Sequence, residues 1–127
     1  MLPAITLDVE PTDAGTQLMA AELAAFAEDH ELPPPVASRM VAVASGVAAA
    51  VVAALAAPPL ARLQADADIG LDDAQLVVIA GDDRLRDVYP SLKAGFDVLA
   101  ARCDAFAAEL APTGELQVWA RFRFAMA

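Results

Sequence analysis

Residues 75–80 read Gln-Leu-Val-Val-Ile-Ala, and residues 81–86 continue Gly-Asp-Asp-Arg-Leu-Arg. The unbroken apolar run in Gln75 to Ala80 predicts a buried central strand. The glycine and the two aspartates predict that the chain then leaves the sheet, so Gly81 to Pro90 reads as a loop. Upstream, Ala61 to Ala67 alternates Leu63, Ala65 and Ala67 with Arg62, Gln64 and Asp66, the pattern of a strand with one buried face. Gly70 with Asp72-Asp73 joins the two strands in a hairpin-like turn. Downstream, Leu92 to about Ala101 or Cys103 reads as a helix. Ala105 to Leu110 fits either an extension of that helix or a strand. Pro112-Thr113-Gly114 is a turn, and Leu116 to Phe124 alternates Leu116, Val118, Ala120, Phe122 and Phe124 against polar neighbours, a strand.

The N-terminal half adds one strand and two helices. Ala4 to Val9 alternates Ile5, Leu7 and Val9 with Thr6 and Asp8. Pro11-Thr12-Asp13 forms a turn that caps a helix from Ala14 to Asp29. Pro33-Pro34-Pro35 breaks the chain, and a second helix runs from about Val36 to Ala57, ended by Pro58-Pro59. The order is β-α-α-β-β-α-(β)-β. It predicts an α+β two-layer sandwich, with helices on one face of a mixed, mostly antiparallel sheet, in a single domain spanning residues 1–127.

Composition narrows the function. Of 127 residues, 18 are Asp or Glu and 8 are Lys or Arg, giving a net charge of −10. Phosphate backbones need clustered cations, so nucleic acid is excluded as a partner. A 58% apolar content supplies a core. One cysteine, Cys103, excludes an internal disulfide and fits a reducing, cytoplasmic setting. One histidine leaves little material for a zinc site, and no metal site is expected. The N-terminus shows neither a basic nor an apolar signal region. The uncharged stretch between Arg39 and Arg62 is long enough for a membrane helix. Its alanines gain little in lipid, and its flanks lack aromatic or basic anchors, so a buried helix is expected instead.

The layout and three short motifs resemble the histidine-kinase-like (GHKL) ATPase domain, closest to the small anti-sigma-factor kinases of bacterial partner switching. The resemblance covers about Ile5 to Phe124. In that family the second helix carries a Glu that acts as general base, an Asn four residues on that holds magnesium, and often a His four residues further. Here Ser45, Ala49 and Ala53 stand at those positions. An adenine-binding Asp followed by two glycines closes a central strand; here Asp82 matches the Asp, while Arg84 and Arg86 replace the glycines. A Gly-rich phosphate turn matches only at Gly95. Asp104 sits where the family's third helix ends, and the Gly-Thr turn before the last strand is reduced to Gly114-Glu115. Only Asp87 to Ala94 separates the second motif from Gly95, too short for an ATP lid.

The resemblance therefore implies a domain without catalytic residues, retaining Asp82 and Gly95 as vestigial nucleotide contacts and using neither ATP nor magnesium. A general base is worth about 10²–10⁴ in rate, and the metal clamp is missing as well. The implied role is a protein-interaction module whose partner is a sigma factor, an anti-anti-sigma protein or a response regulator, with a homodimer compatible with the alanine-rich helices. The alternative is an active phosphotransferase using His30, or a kinase with Asp82 or Asp83 as a displaced base. His30 otherwise reads as a solvated residue at a helix C-terminus, Cys103 as a buried inert thiol, and Asp66, Asp68, Asp72 and Asp73 as solvated turn charge. Arg84, Arg86 and Lys93 form a basic patch that either receives an anion or balances Asp82, Asp83 and Asp87.

Overall fold

The structure, a computed structural model, describes residues 2–124. Eight elements follow in the order β1 (Ala4–Val9), α1 (Asp13–Asp29), α2 (Pro34–Ala54), β2 (Arg62–Ile69), β3 (Asp73–Gly81), α3 (Leu85–Ala100), β4 (Ala105–Leu110) and β5 (Glu115–Arg123). The strands form one sheet in the order β1-β2-β3-β5-β4. All four ladders are antiparallel, so the sheet is not mixed. The segment left open between helix and strand is β4, at the sheet edge.

Register explains the alternation read from the sequence. Ile5 lies opposite Ala67, Ala67 opposite Leu76, Leu76 opposite Ala120, and Ala120 opposite Phe106. Parallel rows run from Leu7 through Val78 to Ala108 and from Val9 through Ala80 to Leu110. One face is thus apolar across all five strands. It packs in a single core cluster with Met19, Leu23 and Phe26 of α1, Met40, Val43, Val47 and Val51 of α2, and Leu85, Leu92 and Phe96 of α3. Phe96 meets Phe106 edge-on with ring centroids 6.5 Å apart. The other sheet face carries Thr6, Asp66, Val77, Trp119 and Ala107 in one row.

Local chemistry sets the helix ends. Thr12 caps α1, its hydroxyl accepting from the Gly15 amide at 3.1 Å. α1 closes in a Schellman turn: the Leu32 amide donates to Ala27 O at 2.9 Å, the Glu31 amide to Glu28 O at 3.1 Å, and Glu31 is left-handed with φ 56°. The triple proline opens α2 rather than merely preceding it, because a proline in the first turn sacrifices only an amide that has no helical partner. α2 is long and apolar enough to cross a membrane by length and composition, with mean hydropathy 1.8 over its most apolar window. Val36, Met40, Val43, Ala44, Val47, Ala48, Val51 and Val52 are buried in the fold, as in a core helix. Its Gly46 admits Leu99 of α3; a Cβ there would lie 2.9 Å from Leu99 Cδ2.

α3 begins at Leu85, seven residues before the expected Leu92. The loop expected over Gly81 to Pro90 is confined to its first residues. Leu85, Val88, Tyr89 and Leu92 recur at helical spacing and pack inward, and their burial outweighs the single amide that Pro90 withholds from the helix.

Candidate functional site

β3 delivers Gly81 and Asp82 to one end of the sheet, where the turn before β5 closes over them. The Asp82 amide donates to Gly114 O at 3.2 Å. Gly114 has φ +91°, and a Cβ on it would lie 2.8 Å from Asp82 O, so this turn requires glycine. An open cavity of about 470 Å³ lies here, lined by Ala61, Arg62, Gly81, Asp82, Thr113 and Glu115, among others. Neither Ser45, Ala49 nor Gly95 lines it.

Asp82 is spent within the protein. Its Oδ1 accepts from the Arg84 amide and from Arg84 Nε, both at 2.9 Å. Its Oδ2 accepts from Arg84 Nη2 at 2.9 Å and from the Ala61 amide at 3.1 Å. A carboxylate has about four lone-pair sites, and these four donors occupy them. The Arg84 side-chain and amide hydrogen bonds hold the carboxyl down to about 2, despite some burial that opposes them. The Arg84 guanidinium is correspondingly pushed up by its bond to Asp82. A carboxylate so held is a poor acceptor for an adenine amino group and a poor general base at neutral pH. Asp83 lines the cavity in solvent.

The remaining motif positions are dispersed. The Ser45 hydroxyl donates back to Val41 O at 2.8 Å, while Ala49 and Ala53 are exposed along α2. Gly95 lies in the interior of α3, not at its start. Its amide belongs to the helix ladder rather than to a phosphate cradle. A Cβ on Gly95 would meet nothing within 4 Å.

Of the basic patch, Arg84 balances Asp82, and Arg86 Nη2 donates to Pro112 O at 2.6 Å, over the same turn; Lys93 is exposed on α3. Asp104 joins the start of β4 to β5, its Oδ2 accepting from the Arg123 amide at 2.6 Å, and faces Arg39 at 4.0 Å. His30 is the exposed C-cap of α1, its ring edge-on to Phe26 with centroids 4.9 Å apart. In the acidic cluster, Asp73 departs from the solvated reading: it is buried, paired with Arg121 Nε across β3 and β5. Burial, and next the charge of Asp73, push the Asp68 carboxyl up. Among the described residues no group of three or more His, Cys, Asp or Glu converges as a metal set.

Sequence reasoning missed a larger feature. An open cavity of about 770 Å³ lies between α1 and α2, lined by Ala24, Glu28, Glu31, Ala37, Val41 and Ala42, among others. Its signal was present in the absence of any Lys or Arg before Arg39 and in the small residues of both helices. The chain matches no protein-family model and no curated protein.

Proposed function

We propose that the chain is a catalytically inert histidine-kinase-like domain that acts as a protein-interaction module in bacterial signalling, in the cytoplasm. Its partner is a sigma factor, an anti-anti-sigma protein or a response regulator. The element order and the helix-on-sheet layering support the lineage. One observation carries the loss of chemistry: the carboxylate at the adenine position is filled by four internal donors. Ser45 and Ala49 supply neither a base nor a magnesium ligand.

Calorimetric titration with magnesium-ATP tests the inert half. No heat at millimolar nucleotide is expected, and no label is expected on His30 after incubation with ATP or with a phosphorylated response regulator. Turnover that falls when Asp82 is changed, or phosphate on His30, would replace this reading with an active phosphotransferase; micromolar binding without turnover would make nucleotide a ligand or switch of the domain. Co-expression with one member of each partner class tests the other half. A stoichiometric complex with one of them on size exclusion is expected, and none with any overturns it.

A further inference from the structure

We propose that the groove between α1 and α2, on the side of the helix layer turned away from the sheet, docks a cationic amphipathic helix of a partner protein. This rests on reading the chain as an interaction module, and it names the chemistry of the partner. Ala24 of α1 and Ala37, Val41 and Ala42 of α2 give the groove an apolar floor, and Glu28 and Glu31 line it at the end of α1. The floor is built of small side chains, so a third helix can approach to about 8–10 Å between axes. Ser38 also lines the groove, and Ser45, Ala49 and Ala53 continue the uncharged surface along α2 beyond it.

Charge selects the occupant. Residues 1–61 hold seven acidic side chains and one basic one, Arg39. Arg39 is turned to Asp104 at 4.0 Å. Among the described residues neither Glu28 nor Glu31 makes an ion pair. Two unpaired carboxylates beside an apolar floor match a helix with an apolar stripe flanked by Lys or Arg. A second copy would bring the same two carboxylates and a further −10 of charge, so self-association here is opposed.

Glu31 offers a direct handle on the groove. Its φ of 56° suits glycine, and the Schellman bonds to Glu28 O and Ala27 O hold it there. A carboxylate thus stands on the groove in a backbone conformation that favours glycine, so Glu31→Gly removes the charge without straining the turn.

The test uses a fluorescein-labelled helical peptide of about 20 residues, with leucines at helical spacing flanked by lysines, read by anisotropy. Binding on the order of micromolar is expected, weakened at least about tenfold by Glu28→Lys with Glu31→Lys. Asp8→Lys with Asp68→Lys makes the same charge change on the exposed sheet face and is expected to leave affinity within about twofold. Glu31→Gly guards against misfolding: it is expected to raise the thermal midpoint while weakening the peptide. The proposal is overturned by no binding, by equal binding of a scrambled peptide of the same composition, by equal loss from both lysine double variants, or by unweakened binding to Glu31→Gly. Magnesium-ATP binding would overturn only the inert reading, and peptide failure only the groove.

Discussion

Asp82 and Arg84 stand two residues apart and meet in a two-point contact, Nε on Oδ1 and Nη2 on Oδ2, each at 2.9 Å. The same guanidinium reaches Pro59 O at 3.1 Å, and Asp82 also holds the Ala61 amide. The pair therefore ties the end of β3 and the start of α3 to the segment that follows α2. It fills the carboxylate that the resemblance would assign to adenine with donors from its own chain.

Asp82→Asn is expected to cost about 0.5–1 kcal/mol at neutral pH, the range of a solvent-screened pair, since Arg84 is a third exposed. Its carboxyl titrates at about 2 in the fold, below the ordinary 3.8. The lowered value means that the stabilisation is full above the ordinary value and is lost as pH falls through about 2. Urea midpoints of the two proteins, compared at pH steps from neutral downward, are therefore expected to converge in acid. A constant gap would show that the charge contributes nothing.

Gly15 and Gly95 both lie in helices and are expected to respond to alanine in opposite directions. A Cβ on Gly15 would lie 1.7 Å from the Glu10 carbonyl oxygen, a backbone atom with no freedom to yield. Gly15→Ala is expected to cost about 3 kcal/mol or more. A Cβ on Gly95 would enter open space, so Gly95→Ala is expected to gain about 0.8–1 kcal/mol from helix propensity. Chemical denaturation reads both. A loss at Gly95 would mean that its backbone has a duty outside the helix.

The alternation of Ile5, Leu7 and Val9, and of Leu116 through Phe122, made the strands legible, because a sheet with one buried face imposes a period of two on each of them. β4 was ambiguous because its alanines suit either structure and its identity comes from pairing with β5, a contact distant in sequence. The start of α3 was hidden by Pro90, although Leu85, Val88, Tyr89 and Leu92 already carried the helical period. At the candidate site, position and residue type single out Asp82 but do not show that its neighbour Arg84 occupies its carboxylate. A two-residue separation brings side chains together only where the backbone turns, and that turn is set by the packing of α3 and the Gly114 loop. For the α1–α2 groove the sequence shows the small residues and the missing cations but not the gap itself, which is defined by how two helices meet.

Cys103 tests the expectation of an inert thiol. It is half-buried, and its sulfur sits 3.5 Å from Leu99 O. Burial pushes the thiol up, with Arg39 offsetting part of this and Asp104 adding to it. Less thiolate at a given pH means slower attack on a disulfide reagent. Reaction with an aromatic disulfide at mildly alkaline pH is expected to be slower than for a free thiol by about tenfold, and to become fast in denaturant. Rapid reaction in the native state would place the thiol in an activating environment.

Glu31 is where stability and the proposed docking surface pull apart most measurably. A left-handed L-residue costs about 1–2 kcal/mol, and glycine removes that cost while conceding some entropy to the unfolded chain. Glu31→Gly is therefore expected to stabilise the protein by about 0.5–1 kcal/mol, or roughly 2–4 °C in the thermal midpoint. Glu31→Ala removes the same carboxylate and keeps the strained φ, so it is expected to leave the midpoint nearly unchanged. The pair separates backbone strain from charge: if alanine stabilises as much as glycine, the gain comes from relieving acidic repulsion with Glu28 and Asp29. If glycine alone stabilises, the turn itself is strained, and the carboxylate that lines the groove is held there against the preference of the backbone.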